Sequence, residues 1–176
     1  MFVALRDLRF ARGRFVLIGS VVALITVLVG FLSGLTGGLA TQNISAVLSI
    51  PADRVVFSAP TTDGADASFS DSTITEQQTT DWDTAAGVTS AEPIGISQTR
   101  AEAGDARIAI AIFGVQPGFN ATAPSQDGRV SLSAPAAKDL AVATGDDLTI
   151  AGTTYTVETI AGDAWYSHTP VVEMTL

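Results

Sequence analysis

The 176-residue chain has no cysteine and only one histidine. Without cysteine there is no disulfide framework, thiolate zinc site, iron–sulfur cluster or cysteine nucleophile. A lone histidine, His168, excludes a metal triad built on two histidines. Basic charge is also scarce: nine Lys and Arg face 18 Asp and Glu, for a net charge of −9. Such a chain is a poor nucleic-acid binder, because neutralising phosphates needs clustered basic charge. No glycine-rich phosphate loop is present, so the chain does not hydrolyse nucleotide by itself. No repeat at a period of about 20–50 residues is found.

What is present is unevenly spread. Hydrophobic residues make up 47% of the chain, and the mean hydropathy is +0.36. Four of the nine basic residues, Arg6, Arg9, Arg12 and Arg14, lie in the first 14 positions, where Asp7 is the only acid. Residues 51–176 carry 17 acidic and five basic residues. Between the two lies a stretch with no charge from Phe15 until Asp53. A basic end and an acidic body across an uncharged segment place the two in different compartments.

Residues 15–35, FVLIGSVVALITVLVGFLSGL, are 21 uncharged positions, 14 of them Leu, Ile, Val or Phe. As a helix they extend about 31 Å, the thickness of a bilayer core. The apolar residues favour insertion by at most about 4–8 kcal/mol. The arginines at the N-terminal end place that end in the cytoplasm and residues 36–176 outside the cell membrane. Residues 1–14 form a basic segment whose arginines can share one face of an amphipathic helix on anionic lipid, or act simply as topology-setting charge. The alternative for the span is a signal peptide cleaved after Gly38-Leu39-Ala40, but a signal core runs only about 7–15 residues. Gly30, Gly34 and Gly38 recur every fourth position, a small-residue stripe on which a second helix can pack; glycine is also simply common in membrane helices. The helix is expected to continue as a stalk over 36–50, with Pro51 its first firm stop.

Residues 51–176 read as a small mixed domain of α+β class. Strands are expected at 54–59, 107–115, 130–133 and 171–175, and a hairpin at 148–151 and 154–160 around Gly152. A capping box, Thr75 with Gln78, opens a helix over 76–86, and Pro135 opens a shorter one over 135–142. Residues 60–73 and 117–128 read as loops. Asp63, Asp66 and Asp71 lack the spacing of a calcium loop. Asp163, Ser167 and His168 are triad residue types crowded on one short loop without a nucleophile elbow, so no enzyme is expected. No cofactor site is expected either.

Residues 129–162, RVSLSAPAAKDLAVATGDDLTIAGTTYTVETIAG, resemble the extracytoplasmic core of MacB/FtsX-like ABC transporter permeases. The resemblance rests on Ala137, Leu140, Gly145, Asp146, Gly152, Tyr155 and Val157 in a strand–helix–turn–hairpin order. It departs at Ala141 and Glu158, where that family commonly has glycine. LRDLRFARGRF at 5–15 resembles the cytoplasmic lead-in of such permeases, and DAWYSHTPVV at 163–172 is most similar to the Gram-positive haem-exporter branch. The resemblance implies the N-terminal half of a permease, its first membrane helix and outer domain, as a fragment, a truncated gene product or a split subunit. It implies a cytoplasmic ATPase partner, a second permease copy and the lipid bilayer as partners. It also implies extrusion of a hydrophobic or amphipathic molecule, with Arg6, Arg9, Arg12 and Arg14 on the ATPase side. If the cargo is haem, Tyr166 and His168 are the iron-ligand types available; otherwise they join Trp165 in an interfacial aromatic cluster. A single-span sensor or adaptor with an outer binding domain is the alternative function.

Overall fold

The computed structural model describes residues 12–59 and 66–176. Arg6 and Arg9 of the basic segment and residues 60–65 of the first loop lie outside the described residues. The chain divides into two compact units between Thr41 and Gln42.

The first unit is the helix α1, Arg12–Asn43, whose last two residues belong to the second unit. It is 32 residues long, and it is long and apolar enough to cross a membrane. None of its residues is buried. Its hydroxyls are satisfied within the helix: Ser20 Oγ donates to the Leu17 carbonyl at 2.8 Å, and Thr26 Oγ1 to Val22 at 2.9 Å. Thr36 and Thr41 donate to Leu32 and Gly37 at 2.9 and 3.0 Å. Lipid offers no partner to a polar group, so this closure is what a spanning helix requires.

The expected stalk is interrupted. The chain leaves helical geometry at Ile44 and resumes as α2, Ser45–Leu48, ahead of Pro51. The next helix, α3 (Glu76–Asp83), starts at the Thr75–Gln78 capping box as expected. It ends three residues early, because the backbone tightens beyond Thr84 and the Asp83 carboxylate accepts the Ala91 N–H at 2.8 Å.

Seven strands follow: β1 (Gly95–Ala103), β2 (Ala106–Val115), β3 (Arg129–Leu132), β4 (Asp147–Ile150), β5 (Thr153–Ile160), β6 (Trp165–Tyr166) and β7 (Thr169–Thr175). Helix α4, Ala134–Leu140, lies between β3 and β4. The strand order is β2-β1-β4-β5-β3-β7, and β7 pairs back onto β2 in parallel, closing six strands into a ring. The β3–β5 pair is also parallel, and the remaining pairs are antiparallel. β6 pairs only with β7.

Each ring strand contributes to one core: Ala101, Ile110, Val130, Leu132, Leu148, Ile150, Val157 and Val172 are all buried. Helix α4 adds Ala136, Ala137 and Leu140. Alternation along the strands sends the next residues to the outer face. There Ala111, Phe113 and Val171 form a second cluster with Ala46 of α2.

The strand expected at 54–59 does not form. Val55 and Val56 are 44% and 47% exposed, and no strand pairs with the segment. The ring closes without it, so its β-branched residues have no ladder to join. It is held by hydroxyls instead: Ser58 N–H donates to Ser72 Oγ at 2.9 Å, and Thr73 N–H to Ser58 Oγ at 3.1 Å.

Candidate functional site

Two features of the second unit adjoin each other on the outer face of the ring. The first is the joint by which the end of the helical segment reaches the sheet. Ser45 Oγ accepts the Trp165 N–H at 2.8 Å, and the Asn43 carbonyl accepts the Ser167 N–H at 3.0 Å. Ala46 is 5% exposed against Phe113 and Val171. A small residue is needed there because the backbone of α2 lies close to the strands.

From this joint four aromatic rings run outward. Phe113 meets Tyr166 edge-on at 5.7 Å, Tyr166 meets Phe69 at 6.3 Å, and Phe69 meets Phe57 at 4.9 Å. Edge-to-face pairs of this kind add about 0.5–1.5 kcal/mol each beyond area burial. They fasten the irregular segments around Phe57 and Phe69 to the sheet.

The second feature is an open cleft of about 530 Å³ beside that ladder. Phe57, Phe69, Trp82 and Phe119 supply its aromatic surface, and Ile94 and Ile96 its strand side. Asp53, Arg54 and Glu92 are its charged lining residues. Trp82 is 49% exposed, an unusual surplus for the largest apolar side chain. The volume and the mix of aromatic surface with a few polar groups suit a small amphipathic ligand.

Phe119 reaches the cleft on the loop between β2 and β3. Two carboxylates pin this loop. Glu173 accepts Asn120 Nδ2 at 2.9 Å and Thr122 Oγ1 at 3.0 Å. Glu158 accepts the Ser125 N–H at 2.9 Å. That backbone bond, a side-chain bond from Ser125 and the charge of Arg129 outweigh desolvation and hold the Glu158 carboxyl below its usual range. Glu158 is one of the two departures from the glycine pattern, and it carries a contact that glycine cannot make.

The expected site residues are dispersed. Arg12 and Arg14 are exposed on α1. An ideal Cβ at Gly30, Gly34 or Gly38 meets nothing within 4 Å, so the stripe is open. Tyr166 is half-buried with its ring between Phe69 and Phe113, while His168 is exposed in the tight turn between β6 and β7. Asp163 accepts the Trp165 indole N–H at 3.0 Å, which commits it to the turn. Among the described residues no group of three or more His, Asp or Glu could hold a metal ion. The cleft itself was not foreseen: its walls come from positions 50 to 119, and no single window carries the pattern.

No protein-family model matches the chain, and no curated protein matches it. Fourteen solved chains are similar to it. One is the crystal structure of the extracellular domain of the noncanonic ABC-type transporter YknZ from Gram-positive bacteria, at 12% identity and a TM-score of 0.47. The match covers 57% of this chain and 61% of that one.

Proposed function

We propose that the chain forms the first membrane helix and the extracytoplasmic core of a permease subunit in an ABC-type efflux transporter. The N-terminus lies in the cytoplasm, and residues 36–176 lie outside. A separate cytoplasmic ATPase hydrolyses the nucleotide, and a second permease copy completes the complex. The cargo is hydrophobic or amphipathic, and the aromatic cleft is its transient resting place. Haem is the specific candidate, with Tyr166 and His168 as ligand types.

The observation that carries the reading is the segment 129–162. It folds as β3, α4, a Gly145-Asp146 turn and the β4–β5 hairpin, the order that the permease resemblance implies. Further support comes from the long apolar helix, none of whose residues is buried, with arginines toward its N-terminal side.

Two experiments test it. Single cysteines at Gly13 and Ser97 are probed with a membrane-impermeant maleimide on intact cells. Labelling of Ser97→Cys alone is expected; labelling of Gly13→Cys reverses the orientation. The full chain is then purified from its native membranes. Co-purification of an ABC ATPase is expected. Its absence removes the transporter reading and leaves a single-span sensor or adaptor. Haem titration of wild type and a Tyr166→Phe/His168→Ala variant checks the finer point; identical spectra and affinity end it.

A further inference from the structure

The ring leaves one strand half partnered. β1 pairs with β2 from Gly95 to Ala103, but with β4 only at Ala101 and Glu102. From Gly95 to Arg100 its other edge receives no backbone bond from any described residue. An antiparallel strand turns the N–H and C=O of every second residue to each side, so about three donors and three acceptors there have no partner among the described residues. Leu176 lies over Gly95, but Ser97, Gln98 and Arg100 are exposed, so the strand is open on both faces at Ser97 and Gln98. The usual guards of an open edge are nearly absent. Residues 95–100 contain no proline, their pairing with β2 has no bulge, and Arg100 is their only charge.

The edge begins where the cleft begins. Ile94 and Ile96 line the cleft and lead straight into the free edge. An added strand would therefore place alternate side chains beside an aromatic-lined hollow, which is the geometry of strand-addition recognition. The surroundings are acidic. Helix α3 carries Glu76, Asp81 and Asp83 and no basic residue, and the cleft adds Asp53 and Glu92. Among the described residues, Arg54 and Arg100 oppose these five carboxylates, while Arg107 is paired with Glu102 at 3.5 Å. A second copy of the chain would bring the same acidic surface and be repelled.

We propose that the Gly95–Arg100 edge of β1 is a strand-addition site that takes an extended, net-basic polypeptide segment. The proposal does not depend on the transport reading, because it requires only the folded ring and its charge.

The test uses the full chain in neutral maltoside micelles, with empty micelles as the blank. The probes are fluorescent octapeptides of alternating lysine and valine, or glutamate and valine, titrated at low ionic strength. The basic peptide is expected to bind at least tenfold more tightly than the acidic one and to slow amide exchange across 95–100 at least tenfold. Methylating alternate backbone nitrogens of the peptide should abolish that protection. The exposed pair Asp53→Lys/Glu92→Lys should abolish the charge preference while leaving the circular dichroism unchanged. Equal affinity for the two peptides, or binding that leaves exchange at 95–100 unaltered, overturns the proposal. Concentration-dependent protection of 95–100 without peptide also overturns it, and assigns the edge to a second copy.

Discussion

Leu24 in α1 is 70% exposed, whereas Leu132 in β3 is 1% exposed. The same contrast holds between α1 and the ring. Apolar side chains of α1 stand open, and none of its residues is buried. Those of the ring converge on one core and one outer cluster. The difference lies in the spacing of polar residues. In β2 the apolar residues are framed by Arg107 and by polar turns, so folding in water removes them from solvent. In α1 the run has no charge to separate its faces, and helical backbone bonding along the run is internal, so it suits an apolar solvent without further folding.

The sharpest way to break that contrast is to truncate a leucine in each unit. Leu132→Ala should lower the unfolding free energy of the ring by about 2–5 kcal/mol, because transfer and cavity costs add. Leu24→Ala should leave that quantity unchanged and weaken insertion by only about 0.5 kcal/mol. Urea unfolding in micelles, followed by near-UV circular dichroism, measures the first. An equal loss in both variants would mean that α1 is part of the ring's cooperative unit.

The joint offers an intermediate effect. Ala46→Leu adds three carbons where α2 already lies against Phe113 and Val171. Overpacking of this kind costs about 1–3 kcal/mol. The loss should appear with faster exchange of the Trp165 and Ser167 amides, which are bonded to Ser45 and Asn43. Normal exchange at those two amides would show that the joint tolerates a larger residue and that α2 is not closely seated.

Much of the second unit was legible because its signals are local. The Thr75–Gln78 box, Pro135, and the β-branched run at 107–115 each carry their instruction within a few residues, and each became the expected element. What was not legible depends on partners distant in sequence. Nothing near Val171 announces that β7 will pair in parallel with β2 and close a ring. Residues 54–59 have strand composition but no neighbour, and composition alone does not make a strand. The joint uses Asn43, Ser45 and Ala46, small residues with no distinctive pattern. The cleft collects side chains from several loops, so its existence follows only from the closed ring.

The smallest effect concerns a single methyl group. Ala141 closes α4 with φ of +55°, in the left-handed region that a side chain disfavours. This is the first position at which the sequence departs from the glycine common in the resembling permeases, and the geometry explains that glycine. Relieving the Cβ clash is worth about 1–2 kcal/mol, and the added freedom of glycine in the unfolded chain returns about 0.5–1 kcal/mol. Ala141→Gly should therefore stabilise the ring by about 0.5–1 kcal/mol, seen as a higher urea midpoint at unchanged slope. The same exchange in α1 runs the other way. Gly34→Ala places a methyl in open space within a regular helix, so it should strengthen the helix by up to about 1 kcal/mol. If Ala141→Gly destabilises instead, the αL cap is not strained, and the Leu140 packing just before it sets the local geometry.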